Sequence, residues 1–85
     1  MKIEPETLVK IYEKHSVLSE EIEDVLVNGK PLFRKVGGDQ YVAIGLRDRY
    51  LVVFFKYDQE IKEALITTAY PASRRQIKAY KKLRR

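Results

Sequence analysis

The spacing of apolar residues predicts a helix at the N-terminus of the chain. Large apolar or aromatic side chains recur at intervals of three and four residues, at Leu8, Ile11, Tyr12 and His15. Pro5 stands where a first helical turn tolerates proline. The first predicted helix therefore runs from about Pro5 to Lys14.

A second helix is predicted after Ser19, which can serve as its N-cap. Acidic residues fill its first turn, where the helix dipole favours negative charge, at Glu20, Glu21 and Glu23. Its inward positions are Ile22, Val25 and Leu26. The dipeptide Asn28-Gly29 is a typical stop signal.

From Pro31 onward the period of the pattern changes to two, which indicates β-strands. Four segments fit, namely LFRKV, QYVAIGLR, YLVVFFKY and IKEALITTAY, and the turn sequences GGD, RDR and DQE separate them. The run from Tyr50 to Phe55 is apolar at every position, so it predicts a central strand with helices on at least one side. The whole pattern predicts an α+β domain with a four-stranded, mainly antiparallel sheet.

A third helix is predicted beyond Pro71, because Ser73 and Gln76 have the spacing of a capping box. Its apolar stripe is thin, with only Ile77, Tyr80 and Leu83. The rest of this helix is basic. Residues 1–63 contain ten basic and twelve acidic residues, whereas residues 64–85 contain seven basic residues and no acidic one.

Composition narrows the class of protein. The chain has 85 residues, of which 45% are hydrophobic and 34% charged, and this predicts one soluble domain over residues 1–85. No apolar run is long enough for a membrane span, and the opening MKIEPETLVK does not resemble a signal peptide, so a cytoplasmic protein with no membrane partner is expected. With no cysteine and one histidine, neither a metal nor another cofactor is expected.

The basic helix has two features that point to nucleic acid. Arg74 and Arg75 stand in its first turn, where the helix dipole disfavours cations but where a phosphate could be held by guanidinium groups and backbone N–H groups together. Tyr80 lies among the cations and Tyr70 just before them, an arrangement typical of proteins that stack bases and track a phosphate backbone. For both tyrosines a packing role is the alternative.

Two segments resemble a known family. The sequence KHSVLSEEIEDVL is similar to the K-H-G-V-x-x-E-E-A opening of BrnT proteins, and ITTAYPASRRQIKAY is similar to their I-x-S-A-R-x-x-T-R-R-E-x-x-x-Y close. BrnT proteins are toxins of the RelE/ParE superfamily, each neutralised by an antitoxin. The resemblance implies a RelE/ParE-like fold and a metal-independent ribonuclease that inhibits translation. It also implies two partners, RNA and a cognate antitoxin that binds operator DNA.

Carried over by position, the resemblance assigns His15, Arg74, Arg75 and Tyr80 to the active site. The Arg74 to Tyr80 spacing also looks like the pair that RelE-type toxins place around the scissile phosphate. Tyr70 stands where BrnT sequences usually have Arg, Ser73 where they have Thr, and Gln76 where they have Glu. If that Arg and Glu are catalytic in the family, this chain would bind RNA without cutting it efficiently.

The chemistry of RNA cleavage suggests a role for each residue. An arginine can stabilise charge on the phosphorane, and histidine can take up a proton near neutral pH, which makes His15 the candidate base. A phenol needs neighbouring cations to act as an acid at neutral pH, and the basic helix supplies them for Tyr70 or Tyr80. A hydrogen-bonded structural histidine remains the alternative for His15.

Further cations are candidates for contact with the phosphate backbone, on the basic helix Lys78, Lys81 and Lys82, and beside the second turn Arg47 and Arg49. The last two could equally be ordinary turn charges.

The sequence leaves open whether the protein is an enzyme. The other classes of function are a nucleic-acid-binding module without chemistry, a toxin of this fold with a protein target, and an interaction protein with an acidic partner. An oligomer is compatible with each of them.

Overall fold

The computed structural model describes residues 1–83 and confirms the α+β prediction. In chain order the elements are α1 (Pro5–His15), α2 (Ser19–Asn28), β1 (Leu32–Gly37), β2 (Gln40–Leu46), β3 (Tyr50–Asp58), β4 (Glu63–Pro71) and α3 (Arg74–Leu83). The four strands form one antiparallel sheet in the order β1-β2-β3-β4, so β3, which contains the apolar run from Tyr50 to Phe55, is internal as predicted. No helix found within residues 1–83 is long and apolar enough to cross a membrane.

Two element starts differ from the sequence prediction. Ser19 is the first helical residue of α2 and not its N-cap; Leu18 takes the N-cap position and offers no side-chain hydrogen bond. β4 begins at Glu63 and not at Ile61, because the preceding turn is longer than expected. In that turn Asp58 Oδ1 accepts hydrogen bonds from the N–H groups of Glu60 and Ile61, at 2.9 and 3.4 Å.

One face of the sheet packs against α1 and α2, and we call it the covered face. Its fully or almost fully buried strand residues include Ala43, Leu51, Val53, Ile66 and Ala69. The helices and their connection contribute Ile11, Val17, Ile22 and Val25 to the same core. The pairs Ala43 to Val53 and Val53 to Ala69 lie directly opposite each other, which keeps these side chains on one face.

The opposite face, which we call the open face, carries α3. Its apolar strand residues include Leu32, Val42, Ile44, Val52 and Phe54, aligned by the pairs Leu32 to Ile44, Ile44 to Val52 and Val42 to Phe54. Tyr80 is the only residue of α3 that is buried. The predicted capping box is present, since Ser73 Oγ accepts from Gln76 N–H at 3.2 Å and Gln76 Oε1 accepts from Ser73 N–H at 2.8 Å.

A close approach at Gly45 fixes the position of α2 on the sheet. A Cβ atom at Gly45 would lie 3.0 Å from Val25 Cγ1 and 3.1 Å from the carbonyl oxygen of Gly29. That same carbonyl accepts a hydrogen bond from Leu46 N–H at 3.1 Å. The end of α2 therefore rests directly on β2, where a Cβ atom would make contacts tighter than ordinary van der Waals packing.

Replacing Gly45 with Ala is expected to destabilise the protein by about 1 to 3 kcal/mol, because the added methyl group forces the end of α2 away from the sheet. Urea unfolding followed by circular dichroism would measure this change. Gln40→Ala, at an exposed position of the same strand, is the control and should change stability by less than about 0.5 kcal/mol. Equal stability of Gly45→Ala and wild type would contradict the close approach.

Candidate active site

His15 and Tyr70 are brought together by the packing of α1 beside β4. Their ring centroids are 5.7 Å apart, the ring planes are inclined by 48°, and both side chains are half-buried. α1 ends at His15 because Ser16 adopts a left-handed conformation, with φ of 54°. Phe54 supports Tyr70 from the open face, with ring centroids 6.1 Å apart and planes 30° apart. An imidazole and a phenol thus share one surface.

Gln76 fixes the direction of the hydrogen bonds at Tyr70. Its Oε1 atom accepts from Ser73 N–H, so its amide nitrogen is the group that faces the Tyr70 hydroxyl. Gln76 Nε2 donates to Tyr70 Oη at 3.3 Å. Because the phenol oxygen is the acceptor in this bond, its own proton can be donated to another group. The capping box of α3 therefore also orients Tyr70, which sequence reasoning did not anticipate.

The outer face of α3 is a dense positive surface. Its five cations, all exposed, are Arg74, Arg75, Lys78, Lys81 and Lys82. The two salt bridges found within residues 1–83 are elsewhere, so no carboxylate there neutralises α3. A shallow cleft of about 560 Å³ runs along this face, lined by four of the cations and Ile77. The arrangement suits a polyanion better than a single small ligand.

Tyr80 lies on the other side of α3, against the sheet. Its side chain is only 8% exposed, and its hydroxyl donates to the carbonyl oxygen of Lys30 at 2.8 Å. Its ring meets Tyr50 edge to face, with centroids 5.7 Å apart. These contacts correspond to the packing alternative for Tyr80. The structure does not bring Tyr80 into contact with the His15 and Tyr70 pair.

Arg47 and Arg49 form salt bridges with two acidic residues of α2, Asp24 and Glu21. Arg49 holds Glu21 with two hydrogen bonds, of 2.7 Å from Nε and 3.0 Å from Nη2, and also donates to the carbonyl oxygen of Ser16 at 2.8 Å. Arg47 Nε donates to Asp24 at 2.9 Å. Sequence reasoning missed these pairs, although Glu21 and Asp24 have no basic residue four positions further along α2 to pair with.

These pairs lower the pKa of both carboxyl groups. The hydrogen bonds from Arg49 are the largest influence on Glu21 and hold its pKa below the ordinary value. The Asp24 pKa is lowered first by the hydrogen bond from Asn28, which is 2.9 Å long, and then by Arg47. Glu21 and Asp24 are therefore paired with Arg49 and Arg47 and not with the cations of α3.

Comparison of the chain with protein-family models, with curated proteins and with solved structures found no match. The likeness to BrnT toxins thus rests on the two short segments alone. Within residues 1–83, no three His, Asp or Glu side chains are grouped as a metal site would require.

Replacing Glu21 with Gln is expected to remove an acid-sensitive contribution to stability. Because the folded-state pKa of Glu21 lies below its unfolded value, its pairing with Arg49 stabilises the fold above the unfolded pKa and is lost as the pH falls through the lowered folded pKa. The free energy of unfolding of the wild type should exceed that of Glu21→Gln by about 1 kcal/mol or less at about pH 7, and this difference should shrink as the pH falls below the ordinary pKa of glutamate.

Urea unfolding at a series of pH values would measure this difference. Glu13→Gln, at an exposed position of α1, is the control and should follow the wild-type profile. A difference between Glu21→Gln and wild type that stays constant down to about pH 3 would argue against the ion pair as its source.

Proposed function

We propose that this protein is a ribonuclease toxin that binds single-stranded RNA on the outer face of α3 and cleaves it beside the His15 and Tyr70 pair. The observation that carries the proposal is the contact between these two rings, 5.7 Å apart, from opposite ends of the chain. An imidazole and a phenol are the two groups that can exchange protons in such a reaction. They lie where α3 begins, since Gln76 contacts Tyr70.

In the proposed reaction the RNA supplies its own nucleophile. His15 takes the proton of a 2′-hydroxyl, whose oxygen forms a bond to the adjacent phosphorus atom. The bond from phosphorus to the 5′-oxygen breaks, and Tyr70 donates its proton to that leaving oxygen. The products are a 2′,3′-cyclic phosphate and a 5′-hydroxyl end, so no external oxidant, reductant or metal enters the balance.

The two arginines at the start of α3 have the role of charge stabilisation. Arg74 and Arg75 are exposed and follow Ser73, the cap residue of the helix. Negative charge that develops on the phosphorane is favoured there by the guanidinium groups and by the helix dipole together. Lys78, Lys81 and Lys82 continue the positive surface along the helix and would follow the RNA backbone.

The toxin assignment comes from the resemblance to BrnT. In that assignment RNA cleavage inhibits translation, and a cognate antitoxin neutralises the protein. Tyr80 takes no part in the chemistry we propose, because its hydroxyl already donates to Lys30. Arg47 and Arg49 are assigned to the stability of α2 and not to RNA binding.

A nucleic-acid-binding module without catalysis is the second candidate. It is favoured by Tyr70 standing in place of the family's arginine, and by Gln76 in place of its glutamate. A glutamine cannot exchange a proton near neutral pH, so its contact with Tyr70 is purely orienting. RNA retained intact on α3 would distinguish this function from the first.

Replacing Tyr70 with Phe is expected to slow RNA cleavage by about 10²- to 10⁴-fold, because the leaving oxygen loses its proton donor. His15→Ala should have an effect of similar size. The assay is cleavage of a 5′-labelled single-stranded RNA by the purified protein in the presence of EDTA, with growth of a bacterial host on induced expression as a second readout.

Tyr80→Phe is the matched control, since it removes the same atom from the other tyrosine. It should lower stability through the loss of the bond to Lys30 while leaving the cleavage rate of the folded protein nearly unchanged. If Tyr70→Phe cleaves RNA as fast as wild type, the proposed active site is wrong. If the wild type binds RNA and leaves it intact, the second candidate replaces the first.

The double variant Arg74→Gln with Lys78→Gln is expected to bind RNA more weakly and with less dependence on salt. Each phosphate contact removed should reduce the slope of log K against log[salt] by about 0.7 to 1. Fluorescence anisotropy with labelled RNA at several salt concentrations would measure the slope. Lys10→Gln with Lys56→Gln, exposed positions away from α3, is the charge-matched control and should leave it unchanged.

A further inference from the structure

The end of α1 carries His15, and its position depends on how the next residue is held. Ser16 adopts the left-handed conformation, with φ of 54° and ψ of 40°, and thereby ends the helix. A residue other than glycine takes this conformation at a cost, so contacts with the rest of the fold have to hold it there. The Ser16 N–H group donates to the carbonyl oxygen of Tyr12 at 2.8 Å, and the side chain of Val17 is fully buried. The Ser16 carbonyl group is then the backbone polar group that still needs a partner.

The His15 ring itself is placed by packing and not by a hydrogen bond. Among the hydrogen bonds found within residues 1–83, none involves its imidazole, and its aromatic neighbour is Tyr70. A side chain without such a bond keeps its place only if the backbone that carries it is fixed. The separation of the two rings therefore depends on where the end of α1 lies relative to β4.

Arg49 supplies the group that holds this end of α1. Its Nη2 atom donates to the carbonyl oxygen of Ser16 at 2.8 Å. The plane of the guanidinium group is fixed by Glu21, because Nε donates to Oε2 at 2.7 Å and Nη2 donates to Oε1 at 3.0 Å. One side chain therefore joins the end of α1 to the first turn of α2.

Arg49 is also tied to the strands that position Tyr70. It directly precedes Tyr50, the first residue of β3. In the register of β3 and β4, Tyr70 stands opposite Val52, two residues further along β3. The N–H group of Ala72 donates to the carbonyl oxygen of Tyr50 at 2.9 Å, so the two strands stay paired as far as this point. The guanidinium group thus links the helix end that carries the imidazole to the strand pair that carries the phenol.

We propose that Arg49 is a positioning residue for RNA cleavage, which holds the His15 imidazole against Tyr70 through the carbonyl group of Ser16. This inference rests on the proposed function, because it takes His15 as the base and Tyr70 as the acid of that reaction. A displacement of about 1 Å at a reacting group can slow an enzyme by about 10²-fold. Since Arg49 acts through the backbone and lies outside α3, its loss should slow the cleavage step and leave RNA affinity unchanged.

Arg47 provides the matched comparison for Arg49. Both arginines belong to the turn between β2 and β3, and each forms a salt bridge with a carboxylate of α2. The Arg47 Nε atom donates to Asp24 at 2.9 Å, and no bond to the end of α1 is found for it within residues 1–83. Arg47→Ala therefore removes the same charge and a salt bridge to the same helix, but not the contact with Ser16.

The test compares the full-length variants Arg49→Ala and Arg47→Ala in three measurements. Single-turnover cleavage of a labelled single-stranded RNA should be about 10- to 100-fold slower in Arg49→Ala than in Arg47→Ala. The dissociation constants for this RNA, measured by fluorescence anisotropy, should be equal. The nuclear Overhauser effect between the ring protons of His15 and Tyr70 should be lost in Arg49→Ala alone, and its assignment is simple because the chain has one histidine.

Two further variants keep the test decisive if Arg49→Ala does not fold, which circular dichroism would reveal. Arg49→Lys keeps the charge but not the planar fork, so it should recover part of the cleavage rate. Glu21→Gln leaves Arg49 in place without the carboxylate that orients it, and should show a smaller loss of rate and of the Overhauser effect.

The proposal is overturned if Arg49→Ala retains both the rate and the Overhauser effect of Arg47→Ala, or if its rate falls only because RNA binding is weaker. Where Arg49→Ala is unfolded, wild-type values of both in Arg49→Lys and Glu21→Gln overturn it equally. If the wild type leaves RNA intact, the proposed function fails. Loss of the Overhauser effect in Arg49→Ala alone would still show that Arg49 positions His15.

Discussion

The structure depends on a strand that is apolar on both of its faces. Leu51 and Val53 of β3 are fully buried against α1 and α2, while Val52 is 2% exposed on the opposite face. Because such a strand can be stable only with cover on both sides, the chain has to supply helices to both faces of its sheet. It does so by placing α1 and α2 before the strands and α3 after them. The coverage is unequal, because two helices pack on the covered face and one helix, α3, on the open face.

α3 is a basic helix that the protein holds in place with few contacts. Tyr80 packs against Tyr50 and donates a hydrogen bond to Lys30, and Gln76 reaches Tyr70. These contacts lie on the side toward the sheet, and the cations of α3 stay exposed, although Lys81 Nζ lies over the Tyr50 ring at 5.9 Å from its centroid. Repulsion among like charges and the unfavourable dipole at Arg74 both act against this helix. A surface that carries such costs is better suited to binding a polyanion than to stabilising the fold.

Two acidic residues of α2 are paired with arginines that do not belong to α3. Arg49 and Arg47 satisfy Glu21 and Asp24 on α2, which packs on the covered face. These two carboxylates are therefore paired with arginines of the turn between β2 and β3 and not with the cations of α3. The junction of the layers at the edge of β4 is where His15 meets Tyr70, so the proposed proton-transfer groups lie at the border of the positive surface.

The sequence by itself determined the elements and their order. The period of apolar residues, the Asn28-Gly29 stop and the Ser73 to Gln76 box are local signals, and each corresponds to the observed structure because it depends on neighbours only a few residues away. The sequence also shows that the excess of positive charge lies in residues 64–85. Only the tertiary structure decided which candidate residues meet. Three features depend on contacts between residues far apart in the chain: Tyr80 packs against the sheet, Glu21 pairs with Arg49, and His15 lies beside Tyr70. One sequence pattern is compatible with several such arrangements, and packing of the layers selects among them.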